Sequence, residues 1–349
     1  MEFAETLLRW YDRNARQLPW RETRNPYKVW LSEVILQQTR VVQGLSYYDR
    51  FLCNYPTVQA LAAAEEDDVL RLWQGLGYYS RARNLHRAAR IIADVGVFPK
   101  TYDELRRLPG VGDYTAAAIA SLAYGLPYAV VDGNVYRVLA RYFGIRTPID
   151  STAGKKQFAE LAQELLDIKN PARYNQAIMD FGALQCTPQA PHCDTCPLMN
   201  SCSAWADRCV ETLPLKSKRT SQRSRHFVYV YLRVFRNSVP YIYLHRRSGD
   251  DIWHGLYEPL MCESDHAATL PEITNALHLP LDTTFRPVTM GMKHILTHQR
   301  ITADCYLAET ATTTKLADYQ LIPETERNQY AVPRLVSLLY ERIDRMLYA

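Results

Sequence analysis

Four cysteines near the middle of the chain have the spacing of metal ligands. They are Cys186, Cys193, Cys196 and Cys202, in the pattern C-x6-C-x2-C-x5-C. A structural zinc site more often has two C-x2-C pairs, and only one occurs here, whereas a [4Fe–4S] cluster also takes four cysteine thiolates. We therefore predict metal or cluster ligation, with chance clustering as the alternative. The other four cysteines lack such spacing and are predicted to be ordinary thiols.

A Gly-x-Gly turn lies ahead of a helix rich in small residues. Gly110 and Gly112 remove side chains from the turn, and the helix is predicted to begin near Asp113. The free N–H groups and the positive dipole end of such a helix can bind phosphate. An isolated Gly-x-Gly is also typical of a corner that only packs. Further along the same stretch, Asp132 is a lone carboxylate in an otherwise apolar setting.

A second carboxylate lies within an apolar helical stripe. The stretch from Tyr27 to about Gly44 is predicted to form one helix with a broad apolar face that contains Glu33. Burial would raise the pKa of Glu33 and keep it protonated near neutral pH, whereas a position at the exposed edge would leave it solvated. This segment alone leaves both interpretations open. Gln37 lies one turn further on the same face, and Gln38 and Thr39 follow at the helix end.

Aromatic and cationic residues alternate in the segment 77–84, G-Y-Y-S-R-A-R-N. This composition suits stacking on bases together with charge on phosphates, although a tyrosine pair beside a helix start is also typical of a core. The segment is therefore a candidate nucleic-acid contact.

The elements that must position these residues change in type along the chain. Up to residue 212 the sequence shows helical periodicity, beginning with a helix over residues 3–17, and no strand-like alternation. After a basic stretch, the runs 227–232 and 241–244 read as strands joined by Arg236-Asn237-Ser238. The predicted fold is therefore multidomain, with an all-α domain at 1–212, a basic linker at 213–225 and an α+β domain at 226–349.

Composition supports a globular protein of two domains. The chain has 349 residues, which is longer than a typical single-core domain. Its residues are 47% hydrophobic and 22% charged, which is typical of a globular protein. Its net charge of +4 comes mainly from the linker, so charge alone does not indicate DNA. No apolar run approaches the roughly 18 residues of a membrane span, and the N-terminus does not resemble a signal peptide. We expect a cytoplasmic location, without membrane contact.

Several stretches together resemble the MutY adenine DNA glycosylases of the helix-hairpin-helix, or endonuclease III, superfamily. They are L-P-W-R (18–21), P-Y-K-V-W-L-S-E-V-I-L-Q-Q-T (26–39), G-L-G-Y-Y-S-R-A-R-N-L (75–85), L-P-G-V-G-D-Y-T (108–115), V-D-G-N-V-Y-R-V (131–138) and the four cysteines. The resemblance is continuous over about residues 1–212. It implies a helix-hairpin-helix at about 105–123, a [4Fe–4S] cluster loop at 186–202 and a duplex DNA substrate with adenine opposite 8-oxoguanine or guanine.

The resemblance also implies the catalytic groups. Glu33 matches the acid that protonates N7 of an adenine flipped out of the duplex, and Asp132 matches the carboxylate that stabilises an oxocarbenium-like sugar. Asn134 would orient Asp132. Tyr114 occupies the position at which endonuclease III relatives have a Schiff-base lysine. The family pattern therefore predicts a monofunctional glycosylase without strong lyase activity, with Tyr114 in the sugar pocket.

DNA contacts follow from the same resemblance. Trp20 and Arg21 would line the adenine pocket, and Gln38 and Tyr78 would insert beside 8-oxoguanine. The other expected contacts are Gln37, Thr39, Gly110 and Gly112. The cluster would hold a loop against the phosphate backbone and take no part in the chemical step.

The second domain resembles the Nudix-like domain of the same family. The segment H-R-R-S-G-D-D-I-W-H-G-L-Y-E-P (245–259) is similar to its W-x-G-L-Y stretch, while the R-E-x-x-E-E array of a working Nudix hydrolase is missing from the sequence. Where the family commonly has F-S-H to recognise 8-oxoguanine, this chain has Leu296-Thr297-His298. Thr297 and His298 are therefore predicted DNA contacts, with packing as the alternative for His298.

Two other functions remain as alternatives. One is an endonuclease III-like glycosylase acting on a different lesion or mismatch, and the other is a non-enzymatic Fe–S protein that binds DNA. Retention of both carboxylates argues against the second. We further expect a monomer associated with the nucleoid.

Overall fold

The computed structural model describes residues 2–217, 222–266 and 268–348. Contacts divide the chain into two compact units, one formed by Met1–Ala63 with Asn84–Arg219 and the other by Ala64–Arg83 with Thr220–Ala349. This division assigns residues 64–83 to the second unit, whereas the domain boundaries inferred from the sequence are linear; those boundaries stay a prediction.

The helices of the described residues are α1 (Glu2–Asn14), α2 (Pro26–Leu36), α3 (Val41–Asn54), α4 (Val58–Ala62), α5 (Glu66–Trp73), α6 (Ser80–Val95), α7 (Tyr102–Arg106), α8 (Asp113–Tyr124), α9 (Gly133–Tyr142), α10 (Thr152–Leu165), α11 (Pro171–Leu184), α12 (Ser203–Ala206), α13 (Leu270–Ala276) and α14 (Arg334–Tyr348). The strands are β1 (Arg223–Arg236), β2 (Val239–Arg246), β3 (Tyr257–Glu258), β4 (Leu260–Ser264), β5 (Thr284–Ile295), β6 (Gln299–Thr310) and β7 (Tyr319–Pro323). Short 3-10 turns include Pro19–Arg21. The boundary between the units after residue 83 falls within α6.

Helix α2 is shorter than the sequence predicted. It begins where Asn25 accepts hydrogen bonds from the backbone N–H groups of Tyr27 and Lys28, with Pro26 in the first turn. It ends at Leu36, because the chain turns at Gln38, whose φ is +60°, before α3 starts at Val41. The single helix predicted to reach Gly44 is thus two helices, and Gln37 to Thr39 form the turn between them.

The predicted helix-hairpin-helix is α7, a glycine turn and α8. Thr101 and Glu104 form a capping box at the start of α7, and α8 begins at Asp113 after Gly112. Gly110 has φ +75°, and a Cβ there would lie 2.6 Å from the Cβ of Asn84. The turn therefore requires glycine at position 110, for both its backbone angle and its space.

Helices α1, α8, α9, α10 and α11 share the main core of the first unit. Buried apolar side chains meet there, among them Leu7, Ala118, Leu139, Phe158 and Phe181. Helix α8 is apolar almost all round because it is surrounded, which agrees with its run of small residues. These packed helices form the rigid framework of the candidate site.

The second unit is built on one mixed sheet. The strand order is β3-β2-β1-β6-β5, with β4 also paired to β1 and β7 to β2. Strand β1 runs parallel to β6, and the other pairs are antiparallel. Alternate side chains of β1 pack with α14 on one face and with α13 on the other, which explains its continuous apolar run.

The predicted linker at 213–225 is structured at both ends. Leu213 is buried in the first unit, where its carbonyl accepts a hydrogen bond from Arg141, and Leu215 pairs with Ile149. Residues 223–225 are the first residues of β1, because they pair with 299–301 of β6. The two ends of the predicted basic linker therefore belong to the two units, and the linker itself stays a prediction; its residues 218–221 lie outside the described residues.

The fold class is confirmed, since the first unit's described residues are helical and the sheet lies in the second. No described helix is both long and apolar enough to cross a bilayer.

Candidate active site

A pocket of about 420 Å³ in the first unit brings most of the predicted site residues together. Its walls come from the segment before α2, from α2 and the turn after it, from α8, from the start of α9 and from α11. The predicted residues that line it are Trp20, Arg21, Glu33, Gln37, Gln38, Thr39, Tyr114, Asp132 and Asn134. The two carboxylates, a hundred residues apart in sequence, thus share one cavity.

Glu33 is buried rather than solvated, which decides between the two interpretations of its helix. Its side chain is on the inner face of α2, and its Oε2 accepts a 2.7 Å hydrogen bond from the Tyr114 hydroxyl. Burial raises the pKa of Glu33 from 4.5 to about 7, against the opposing effects of the Tyr114 hydrogen bond and of Arg21. The carboxyl therefore holds its proton over a substantial fraction of the time near neutral pH.

Asp132 occupies a different environment at the start of α9. Its Oδ1 accepts the backbone N–H groups of Asn134 and Val135, both at 2.8 Å, and its Oδ2 accepts the Asn134 side-chain amide at 2.7 Å. It is thus the N-cap of α9, near the positive end of the helix dipole. Burial raises the pKa of Asp132 above its ordinary value of 3.8, and these N–H donors oppose the rise.

Asn134 has the positioning contact that the resemblance implied. Its amide nitrogen donates to Asp132, while its Oδ1 accepts a 2.8 Å hydrogen bond from Arg137. Arg137 is fixed in turn by the carbonyls of Gly182 and Cys186. The Asp132 carboxylate therefore has little freedom to rotate.

Trp20 and Arg21 belong to the part of the pocket wall that precedes α2. Trp20 is buried and packs edge-on against Tyr48 of α3, with 5.2 Å between ring centroids. Arg21 makes a two-pronged ion pair with Asp180, with distances of 2.6 and 2.7 Å. Both side chains are thus held in place before any ligand enters.

In the turn after α2, Gln38 is exposed and Gln37 is hydrogen-bonded to α8. The Gln37 amide donates to Thr115 of α8 at 3.1 Å. Gln38 is exposed in a left-handed conformation, which is uncommon outside glycine and asparagine. Such strain at a pocket rim is typical of functional turns.

Several pocket residues were missed by the sequence analysis. Gln176 and Met179 of α11 line the cavity, and the Tyr11 hydroxyl donates to Oε1 of Gln176 at 3.0 Å. Asp180 is completely buried in α11, behind the pocket wall. An available signal was Asp180 itself, an acidic residue within the apolar run I-M-D-F-G, by the same argument that selected Glu33.

The glycine turn is separate from the pocket lining. Gly110 and Gly112 lie between α7 and α8, and Tyr114, in the first turn of α8, lines the pocket. The sequence suggested two functions for this stretch. Phosphate contact belongs to the glycine turn, and pocket lining belongs to Tyr114 just after it.

The four predicted ligand cysteines surround one small cavity. Cys186, Cys193, Cys196 and Cys202 all line it, together with Arg141, which donates to the Cys186 sulfur at 3.4 Å. Backbone N–H groups of Leu198, Ala204 and Trp205 donate to the sulfurs of Cys196 and Cys202. Within the described ranges, no three His, Cys, Asp or Glu side chains form a group fit for a single metal ion. In a four-iron cluster each thiolate binds a different iron, so the thiols stand further apart, and this donor set fits such a cluster.

The second unit has a pocket of about 620 Å³ that contains its predicted DNA contacts. Tyr78, Thr297 and His298 line it, together with Trp253 and Arg83. The hydroxyls of Tyr78 and Thr297 are hydrogen-bonded to each other, although the two residues are far apart in sequence. His298 is exposed, and its carbonyl accepts the backbone N–H of Arg223.

Comparison with known proteins identifies the family. Residues 31–166 match the family described as HhH-GPD superfamily base excision DNA repair protein, and residues 230–342 match the NUDIX domain. The adenine DNA glycosylase of Buchnera aphidicola subsp. Acyrthosiphon pisum is 35% identical over 258 residues, 73% of either chain. The chain belongs to the adenine DNA glycosylase family. The predicted family is thereby confirmed, as is the enzyme class, a DNA glycosylase.

Other relatives agree with this assignment. The human adenine DNA glycosylase is 46% identical over 213 residues, which are 58% of this chain and 39% of the human protein. Among solved structures, a thermostable thymine-DNA glycosylase matches 59% of this chain and 95% of its own, with a TM-score of 0.55 and 31% identity. An endonuclease III–DNA complex, with a TM-score of 0.52 and 24% identity over 59% of this chain and 95% of its own, shares the fold.

Proposed function

We propose that this chain excises adenine mispaired with 8-oxoguanine, and also with guanine, by hydrolysing the N-glycosidic bond of the adenine nucleotide. The observation that supports this most strongly is the pocket that contains both a buried Glu33, with a raised pKa, and a hydrogen-bonded Asp132. Two carboxylates with different environments suit an acid and an anion in one reaction.

Glu33 is the proton donor in this proposal. Adenine leaves more readily once N7 is protonated, because the base then departs without negative charge. With a pKa of about 7, Glu33 is protonated often enough to donate and acidic enough to give up the proton. The Tyr114 hydroxyl holds one carboxyl oxygen, so that the other is left for the base.

Asp132 stabilises the positive charge that develops on the sugar as the bond breaks. Its three N–H hydrogen bonds favour the ionised form and fix the direction of its oxygens. The anion acts either as a counter-charge or as a transient nucleophile, after which water completes the hydrolysis.

The chain acts as a monofunctional glycosylase. A lyase needs an amine to form a Schiff base, and here the corresponding position is Tyr114, whose hydroxyl is occupied with Glu33. No lysine lies between Lys100 and Lys155 in the sequence. The product is therefore an intact strand with an abasic site.

The remaining predicted residues serve DNA recognition. Gln38 and Tyr78 insert beside the lesion, while Gly110 and Gly112 approach the phosphate backbone. The Thr297 hydroxyl replaces the serine hydroxyl common in the family, and its contact with Tyr78 supports a shared role on the 8-oxoguanine strand. Cys186, Cys193, Cys196 and Cys202 would hold a [4Fe–4S] cluster, which would order the loop 186–202 for contact with the DNA phosphate backbone and take no part in the chemical step.

One assay separates the candidate substrates. The protein is incubated with A:8-oxoguanine, A:G and T:G duplexes, with and without alkali. We expect cleavage of the adenine strand of the first two, only after alkali treatment, with no efficient borohydride-trapped adduct. Excision from T:G alone would instead favour the alternative of a mismatch glycosylase of different specificity, which the similarity to the thymine-DNA glycosylase makes worth including. Binding of all three duplexes without excision would favour a non-enzymatic protein.

A further inference from the structure

Behind the adenine pocket, a buried carboxylate joins two arginines. Asp180 of α11 has a side chain that is 0% exposed, and its oxygens accept from Arg16 and Arg21. The Arg21 guanidinium uses both terminal nitrogens, at 2.6 and 2.7 Å. Arg16 contributes its Nε at 2.7 Å and its backbone N–H at 3.1 Å. None of the roles proposed above uses Asp180.

The geometry of this cluster constrains the pocket wall. Arg16 and Arg21 lie in the segment 15–25 between α1 and α2, Arg16 near its start and Arg21 at the end of the 3-10 turn, and this segment carries Trp20 and Arg21 into the pocket. Asp180 links both arginines to α11, and Arg21 also donates to the Arg16 carbonyl. Removing one partner of a buried ion pair leaves an uncompensated charge and is strongly destabilising, so the loss of Asp180 should disturb this part of the pocket wall.

The cluster also controls the charge that Glu33 experiences. The ionisable and charged groups around Glu33 are Tyr114 on α8, Asp132 before α9 and Arg21 on the segment before α2. From α3, which also packs on α2, Tyr48 reaches the same wall through Trp20. Arg21 is the cation of this set, and it favours loss of the Glu33 proton; its pairing with the Asp180 anion reduces that effect.

We propose that Asp180 is a positioning residue, which fixes Arg21 in the pocket wall and balances its charge so that Glu33 keeps the proton it must donate. The inference rests on the proposed function, because it takes Glu33 as the acid. It explains why an ion pair is buried beside a carboxyl that must stay neutral. An unpaired arginine in this wall would draw the proton away from Glu33.

The test is the pH dependence of single-turnover adenine excision from an A:8-oxoguanine duplex at saturating protein, between pH 5.5 and 9. The informative quantity is the alkaline limb, the pH range over which the rate falls as Glu33 loses its proton. For Asp180→Asn we expect this limb to move down by about one pH unit, which makes excision about tenfold slower than wild type on that limb. At pH 5.5 the difference in rate between Asp180→Asn and wild type should be smaller. In Arg21→Met/Asp180→Asn, which lacks the cation that acts on Glu33, the downward shift should be absent even though Arg16 remains.

Two further variants serve as controls. Asp180→Glu keeps the charge and should keep the limb near its wild-type position. Asp12→Asn removes an exposed aspartate of α1 that pairs with Arg173 of α11, away from the pocket, so it should leave the profile unchanged. If Asp180→Asn does not fold, Arg16→Gln/Asp180→Asn leaves one unpaired cation instead of two, and the same downward shift is expected.

The outcomes separate this inference from the function on which it rests. A limb that stays in place, or a loss of rate equal at every pH, in the folded Asp180→Asn or Arg16→Gln/Asp180→Asn protein would overturn the role of Asp180 while leaving adenine excision intact. Wild-type protein that releases no adenine would instead refute the proposed function.

Discussion

At the scale of single residues, the candidate site contains two carboxylates in different surroundings. Glu33 gains its raised pKa from burial, and Asp132 is surrounded by N–H donors. Because the folded-state pKa of Glu33 exceeds its ordinary value of 4.5, its contribution to stability is full below pH 4.5 and is lost as pH rises through about 7. The protein thus gives up some stability at neutral pH to keep an acid in the pocket.

The Tyr114 hydroxyl adjusts the acidity of Glu33. A hydrogen bond donated to the carboxyl favours its ionised form and lowers its pKa, against the larger effect of burial. In Tyr114→Phe we therefore expect the alkaline limb of the single-turnover excision rate to move up by about one pH unit. Tyr124→Phe, on the same helix, is the control. A limb that moves down, or not at all, would show that this hydrogen bond does not govern the acid.

Asp132 is the N-cap of α9 and, in the proposed function, the anion that faces the sugar, and one substitution can separate these two roles. Asparagine is as good an N-cap as aspartate, so Asp132→Asn should keep α9 and change the melting temperature little. It removes the negative charge opposite the sugar, so excision should slow by roughly 10²- to 10³-fold. Differential scanning fluorimetry and single-turnover excision measure the two effects. The opposite pattern, a large loss of stability with near-normal excision, would mean that Asp132 serves only as a cap.

At the scale of elements, sequence patterns located helices better than they located their ends. The stripe around Glu33 predicted α2, but the left-handed turn at Gln38 ended it early, and no propensity in Q-Q-T indicated that turn. The run 227–232 predicted a strand, whereas the basic residues at 223–225 concealed its beginning, because pairing with β6 rather than side-chain pattern extends it. The partnership of Tyr114 with Glu33 depends on packing between α2 and α8 and could not be read from either segment alone.

The glycine turn between α7 and α8 offers a matched pair of substitutions. Gly110→Ala places a Cβ against Asn84 at a positive φ and should cost about 2 kcal/mol of unfolding free energy. Gly112→Ala meets no atom within 4 Å and has an ordinary φ of −87°, so stability should be nearly unchanged. If this turn approaches phosphate, Gly112→Ala should still weaken duplex binding. Denaturant melts with fluorescence anisotropy test both, and wild-type affinity in Gly112→Ala would remove the turn from the DNA interface.

At the scale of the whole molecule, the chain combines a helical unit that contains the candidate active site and a sheet unit that contains a second pocket. Residues 64–83, which carry Tyr78, belong by their contacts to the second unit although they lie within the helical sequence. Sequence resemblance predicted separate contributions from Tyr78 and Thr297. The hydrogen bond between their hydroxyls depends on the tertiary fold and could not be predicted from the sequence, because 219 positions separate the two residues.

The Tyr78–Thr297 pair makes lesion discrimination testable. Thr297→Val keeps shape but loses the hydroxyl, so the ratio of excision rates on A:8-oxoguanine and A:G should fall about fivefold, the worth of one hydrogen bond. Thr274→Val, in α13 and outside the lining of the second pocket, is the control. An unchanged rate ratio in Thr297→Val would assign recognition of the oxidised base to other residues.

The most direct test of the account is single-turnover adenine excision by Glu33→Gln on an A:8-oxoguanine duplex, with duplex affinity measured on the same protein. Glutamine keeps the size of the side chain and cannot donate the carboxyl proton. We expect the excision rate to fall by about 10³-fold or more while affinity stays within a few-fold of wild type. Excision by Glu33→Gln at the wild-type rate would contradict the assignment of Glu33 as the acid, and with it the proposed chemistry of the pocket.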